Sequence, residues 1–331
     1  MANKLSKKYD FDITVTPATT YAGSQALPYV TAAVKSNDTI AKGYVRQMDG
    51  LAGSKAVISS LVTTDPIVAA TGACNFADAG TTTLGERVLT LTDLKVNREV
   101  CRATVWPTWV GENMRRESDA GLPNSFSDFL LEVVANQASA QIENGIWVGS
   151  SVFGSGFLSD DGGFDQTGLN ASACADFTQV TMNSGAATTK ANIDTAIEAV
   201  YDSVVANHPG LEFKQGFGFY MNNKTFSFYA QYLSETGNNQ GIMSLGLTLD
   251  PNGLSYLGHP IYRCPGMPDD AIVATYTDNL VVGSSLGTEL VEAKIIPTYQ
   301  YDGSDNVRVV MNFGLGVQSG IGTDGVVGVI F

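Results

Sequence analysis

The sequence predicts an α+β chain with more than one lobe, and three stretches carry that reading. Residues 125–149 read as one long helix. Residues 191–283 run helix, strand, helix and then three strands. Residues 295–331 return to strands alone. With 331 residues there is room for two or three lobes, each with its own core.

The long helix has clear ends. Pro123 and Asn124 break the chain before it, and Ser125 and Asp128 stand at the N-cap and N3 spacing. Gly149 suits the left-handed residue that closes a helix. Such a rod is roughly 36 Å long. Asp128, Glu132, Asn136, Ser139 and Glu143 form one narrow polar line. Phe126, Phe129, Leu130, Val133, Val134, Ile142, Ile146 and Trp147 cover much of the rest. A helix so widely apolar is embedded among other elements. It is expected to be a spine on which other parts lie. The alternative is an ordinary core helix of a larger domain.

Residues 1–26 are polar and Thr/Ala-rich and read as an extended arm. Tyr29, Val30, Ala33 and Val34, then Ile40, Tyr44 and Val45, recur at helical spacing, so 27–48 is expected to form two short helices or one broken helix. Ala56 to Val62 is a β-branched run, and RVLTLTDL at 87–94 alternates. Between them lies a Gly/Ala/Thr stretch at 69–83. This is an up-strand, a tip and a down-strand: a hairpin too poor in core to stand alone. It must lie on something, and a neighbouring subunit is the natural candidate. Trp106 and Trp109 in the connector 99–117 read as a packing pair.

Residues 150–185 form a Gly/Ser/Asp-rich loop region. Ile193, Ala196, Ile197, Val200, Tyr201, Val204 and Val205 make one helical stripe, stopped by Asn207-His208-Pro209-Gly210. Phe217–Met221 reads as a strand, and 223–235 as a helix with Phe226, Tyr229, Ala230 and Leu233 inward. Strands follow at 255–263, 271–276 and 279–283, then at 295–300, 307–313 and 326–331, with Asp302 to Asn306 as a turn. The closing strands are expected to return to the lobe the chain left earlier.

Composition narrows the function. Hydrophobic residues make up 44 %, which excludes a disordered chain. Charged residues are only 16 %, against a usual quarter or so. That fits a subunit burying much of its surface against copies of itself, or a Gly/Thr/Ser-rich β protein. A net charge of −14 argues against binding phosphate backbones, and Lys4, Lys7 and Lys8 read as a solvated tail. Cys74, Cys101, Cys174 and Cys264 are too scattered for a zinc site or a disulfide framework. The N-terminus lacks the apolar core of a secretory signal, and no apolar run is long enough to span a bilayer.

Catalytic constellations are not legible. His208 and His259 each precede Pro in turn contexts with no partner motif. Asp160, Asp161 and Asp165 do not match a calcium loop, and Asp269-Asp270 sits in a Pro-bounded turn. The fragment Phe153-Gly-Ser-Gly-Phe157 lacks the following helix of a phosphate-binding loop. No catalytic, cofactor-binding or metal-ligating residue is therefore assigned, no cofactor is expected, and the chain is read as not an enzyme.

The order of parts resembles the major capsid protein of tailed bacteriophages, the Hong Kong 97 coat-protein fold. QIENGIWVGS at 141–150 followed by GFLS at 156–159 looks like the end of that family's spine helix, which implies that the polar line from Asp128 to Glu143 faces the shell interior or a neighbouring subunit. GFGFYMNNKTFSFYAQYLSETGN at 216–238 looks like its A-domain strand and helix. GLSYLGHPIYRCPGMPDDAIVATYTDNLVVG at 253–283 is similar to a further A-domain segment.

The resemblance implies an arm with short helices at 1–54, an extended E-loop hairpin at 55–96 and a P-domain at 97–150 containing the spine helix 125–149. A loop at 151–185, an A-domain at 186–283 and a return to the P-domain at 284–331 would follow. It also implies hexamers and pentamers of an icosahedral shell around double-stranded DNA, held without sequence-specific binding. Portal, scaffolding and possible decoration proteins would be partners, with no membrane. The place would be the virion, after assembly in the host cytoplasm. Some members crosslink an E-loop Lys to a neighbour; here Lys55 and Lys95 lie at the hairpin base and the tip 69–83 has none. No cleaved scaffolding segment is evident before the arm, so a separate scaffolding protein or a mature form is implied. The competing readings are an encapsulin-like nanocompartment shell and an α+β enzyme.

Overall fold

A computed structural model of the chain describes residues 20–22, 34, 37–51, 53–64, 80–101, 104, 126–158, 174, 176–235, 254–286, 292–298, 301, 303–304 and 306–330. Several expectations lie outside these residues. They are most of the arm, the hairpin tip over 65–79, the Trp106–Trp109 pair, the Ser125 cap, Cys74, the cluster Asp160, Asp161 and Asp165, and the turn residues Asp302 and Asp305.

Strand β1 is Thr20–Ala22, helix α1 Asp38–Ala41, β2 Arg46–Met48, β3 Lys55–Thr64, β4 Thr81–Thr90 and β5 Thr92–Cys101. The long helix, α2, is Phe126–Val148. Then come β6 Thr178–Thr181, α3 Ile193–Asn207, β7 Phe217–Met221 and α4 Asn223–Glu235. The rest is β8 Ser255–Tyr256, β9 His259–Arg263, β10 Ile272–Tyr276, β11 Leu280–Ser284, β12 Glu292–Pro297, β13 Asn306–Ser319 and β14 Val326–Val329.

The first sheet is organised on β13. β5 pairs antiparallel with residues 306–315 of it, while β12 pairs with 307–312 on the opposite edge and β11 with 315–319. β1 extends the sheet beyond β12, and β2 runs parallel to β11. Period two sorts the faces: Val307, Val309, Met311 and Phe313 are buried, with Ala293 and Ile295 beside them.

The second sheet runs β6-β14-β10-β7-β9-β8. It is covered on both faces, and its register shows how. Phe217, Phe219, Met221, Ile272, Ala274 and Val326 pack with the apolar stripe of α3. Tyr220, Val273, Val327 and Val329 face the other way, into the core that contains α2. β8 and β9 form a hairpin whose two central residues, Leu257 and Gly258, both have positive φ (49° and 89°), the mark of a type I′ turn.

Helix α2 joins the two sheets. Leu130, Leu131, Val134, Ala135, Ala138, Ile142, Ile146 and Trp147 are buried in one cluster with residues of both. Its end is closed by its own continuation. Gly149 takes φ 67°, Ser150 and Gly154 exchange backbone bonds of 3.1 and 2.8 Å, and the chain folds back. Phe157 N and Leu158 N then donate to Ile146 O and Trp147 O, both at 2.9 Å, satisfying carbonyls that a helix end leaves open. The Phe157 ring stacks on Trp147 at 5.4 Å.

Four expectations are corrected. Tyr44 and Val45 do not continue a helix: Gly43 (φ 69°) ends α1 and the chain becomes strand β2. The alternating run 87–94 is not one strand: it breaks at Leu91 between β4 and β5. Residues 284–331 do not all return to the first lobe, because β14 crosses to lie between β10 and β6 in the second sheet. The crossing is held by Asn279, whose side chain bonds Ile321 N at 2.7 Å and Asp324 O at 3.0 Å. The polar line of α2 does not share one environment. Glu132 and Asn136 are exposed, but Ser139 and Glu143 are buried within the chain. The helix sinks into the core along its length, and residues around 39 and 266 cover its later turns.

Two substitutions test this packing. A Cβ at Gly316 would overlap the carbonyl oxygen of Thr90, a backbone atom that cannot rotate away. Gly316→Ala should cost about 1–3 kcal/mol in urea unfolding. Leu131→Ala, at a fully buried site on α2, should cost about 2–5 kcal/mol by the same measurement.

Candidate functional site: an uncovered two-stranded ribbon

Among the described residues β3 and β4 pair only with each other, over ten residue pairs from Lys55↔Thr90 to Thr64↔Thr81. Strand periodicity gives the ribbon two faces. One face, at the base, carries Ala56, Ile58 and Leu89. Leu89 is fully buried and packs with Leu91 and Val281, with Met48 and Leu51 alongside. Gly283 leaves room for the Leu89 side chain, which a Cβ there would strike.

The other face carries Val57, Leu61, Leu84 and Val88, exposed by 58, 68, 63 and 46 %. The register makes these two cross-strand pairs, Val57↔Val88 and Leu61↔Leu84, separated by Ser59↔Glu86. Residues 81–86 are all exposed. A two-stranded ribbon with no third layer is marginal in water by itself. Each exposed Val or Leu stands to contribute about 1–2 kcal/mol once covered. Two such apolar pairs on one face, with only the Ser59↔Glu86 pair between them, make a candidate surface for a partner to cover.

The ribbon's base is fixed polar side chain by polar side chain. Arg87 forms an ion pair with Asp176 and donates to Ser319 Oγ at 2.6 Å. Gln318 Nε2 donates to Val88 O at 3.1 Å, and Leu91 N to Ser54 O at 2.8 Å. The ribbon is thus anchored at one end to both lobes.

A second polar cluster lies inside. Glu143 is 5 % exposed and accepts from Thr39 N at 3.1 Å, from Thr39 Oγ1 and from Gly266 N at 3.4 Å. Trp147 Nε1 donates to Thr39 Oγ1 at 3.0 Å. Burial pushes the Glu143 carboxyl above its ordinary value, against the pull of these donors. Burial likewise pushes the neighbouring Cys264 thiol well up.

The residues weighed from sequence for chemistry are dispersed. His208 caps α3 and its Nε2 lies 2.8 Å from Thr178 Oγ1. His259 packs edge-on against Phe217 at 5.0 Å, in an aromatic group with Tyr201. Asp269 pairs with Lys224 at 2.8 Å, while Asp270 accepts from Thr188 N at 2.8 Å, so adjacent carboxylates serve separate partners. Cys101 is exposed; Cys174 and Cys264 are buried and free. The fragment Phe153 to Phe157 closes α2. Among the described residues no group of three or more His, Cys, Asp or Glu converges as a metal site, and no helix is long and apolar enough to cross a membrane. Sequence reading singled out neither Arg87 nor Thr39, whose roles depend on partners 89 and 104 residues away or more.

No protein-family model and no curated protein matches the chain. Solved structures do. A chain of the satellite phage P4 procapsid, a structure that includes the size determination (Sid) protein, is 13 % identical with a TM-score of 0.55, over 97 % of this chain and 93 % of that one. A chain of the empty GTA particle capsid is 15 % identical with a TM-score of 0.54, over 89 % and 90 %. A chain of the capsid of the myovirus phage XM1 is 10 % identical with a TM-score of 0.53, over 89 % and 92 %. The chain therefore has the phage capsid fold that its own residues resemble.

Proposed function

We propose that this chain is the major subunit of a phage capsid, a structural protein that assembles through hexamers and pentamers into an icosahedral shell around double-stranded DNA. The observation that carries the reading is the β3–β4 ribbon. Its two apolar cross-strand pairs are exposed, and no described strand or helix of the chain is layered on them. A neighbouring copy supplies the third layer that the ribbon lacks. In this reading residues 55–96 are the E-loop, 97–150 with α2 belong to the P-domain together with β11, β12 and β13, and 186–276 with β14 form the A-domain; β11, expected with the A-domain at 186–283, pairs instead with β13.

The remaining parts follow the same logic. The shell resides in the virion and is built in the host cytoplasm with scaffolding, portal and decoration proteins as partners. The net charge of −14 keeps the polyanionic content from adhering to the wall, so DNA is contained rather than bound. The role needs no catalytic residue, cofactor or metal.

Electron microscopy of the purified chain tests assembly directly: closed shells are expected, and DNA-filled heads recovered from infected cells separate a capsid from a protein-filled compartment. The double variant Leu61→Ser and Leu84→Ser tests the carrying observation. Both sites are exposed in the subunit, so unfolding free energy should change by no more than about 0.5 kcal/mol per site. Shell yield by sedimentation should fall at least about tenfold, the effect of losing about 1.4 kcal/mol per contact. Shells formed at wild-type yield would remove the ribbon from the assembly interface.

A further inference from the structure

We infer that Glu143 is a pH-responsive clip: its ionisation loosens the hold of helix α2 on the segment 37–45 and on the turn 264–267. The carboxylate is a point where these three sequence-distant pieces meet. Its bonds reach Thr39 of α1 through both the backbone N and the hydroxyl, and Gly266 of the turn through the backbone N. Trp147, one helical turn further along α2, ties the same Thr39 hydroxyl. Gly266 lies against the Glu143 backbone so closely that a Cβ would overlap its carbonyl. The 37–45 segment is thereby wedged between α2 and the second sheet, where Tyr220 Oη donates to Tyr44 O at 2.8 Å.

The electrostatics of the clip are one-sided. The charged and titratable groups around Glu143 are Asp38 from α1, with Lys42 beside it just past the helix end, and Cys264 from the turn; Ser139 and Trp147 stand one turn to either side on α2 itself. Asp38 repels the carboxylate, and Lys42 is engaged with Asp38 at 3.4 Å. Cys264 stays a thiol because it is buried. The donors to Glu143 are neutral, and among the described residues no lysine or arginine pairs with it. A buried carboxylate held only by neutral donors remains costly in its charged form.

The sign follows from linkage. In the closed clip the Glu143 carboxyl titrates above the value of 4.5 that it regains when the clip opens to water. The closed form therefore binds the proton more tightly than the open form. Acidification through that window tightens the clip, and raising the pH through it loosens the clip. A rise in pH through the window thus poises the segment 37–45, ahead of the ribbon in the chain, for release.

Hydrogen exchange measured by mass spectrometry on peptides covering 34–45 and 264–267 tests the clip in the purified full chain, between pH 4.5 and 8 and corrected for intrinsic exchange. The wild type should show an opening equilibrium that grows with pH, by up to about tenfold per unit within the window, and levels off above it. Glu143→Gln, which carries no charge, should show no such growth. Equal pH slopes in the wild type and Glu143→Gln overturn the inference. Should Glu143→Gln not fold, Asp38→Asn decides. It removes the adjacent negative charge and frees Lys42, so the midpoint should move to lower pH; an unmoved midpoint overturns the clip.

Discussion

The structure depends on the need to cover a helix that is apolar around most of its circumference. α2 buries Leu131, Ile146 and Trp147 completely, and no single sheet reaches all of these directions at once. Two sheets and the short segment around α1 are therefore drawn onto one rod. The helix fixes how the lobes sit because each lobe contributes residues to the same cluster: Val309 and Met311 from the first sheet, Tyr220 and Val273 from the second. The polar groups admitted to this core are matched closely. Glu143, Thr39 and the Trp147 indole satisfy one another, so the helix can be surrounded without stranding a donor.

The ribbon presents the opposite situation. It is as rich in strand pairing as any part of the molecule, yet half of its apolar side chains meet water. Pairing along the backbone satisfies amides and carbonyls but does nothing for side chains on an unstacked face. The base is different because Leu89 and Leu91 reach the first sheet. A self-sufficient core thus coexists with an extension that is complete in hydrogen bonds and incomplete in burial. That division is why the ribbon face, and not the core, is where a partner would add stability.

Much of this was legible in the sequence. The α2 boundaries follow from Pro123, Asn124 and Gly149, and the α3 stripe from Ile193 to Val204, because local periodicity and terminators determine both. The ribbon could be read from its poverty of core residues. What escaped depends on distant partners. β6 lies in a stretch that looks like loop, because Thr178–Thr181 becomes a strand only when paired with β14. β14 reads as a return to the first sheet, since a run of valines does not say which sheet it joins. Val205, counted in the α3 stripe, is 48 % exposed, the helix having turned away from its sheet by then. Glu143 looked like a surface acid because its cover comes from residues far ahead of it and far behind it in the chain.

The ladder between β5 and β13 has a mechanical consequence. β4 passes into β5 across one residue, so any pull on the ribbon enters the body along the strand axis of β5. There it meets ten consecutive residue pairs, whose bonds lie across the direction of pull. Such a joint is loaded in shear: its bonds must slip together instead of parting one after another like a zipper. β12 grips the opposite edge of the same β13 stretch and spreads the tension to a third strand. The exposed two-stranded ribbon is tethered by a joint built to resist stretching, as a rope end is spliced along a cable and not knotted at its tip.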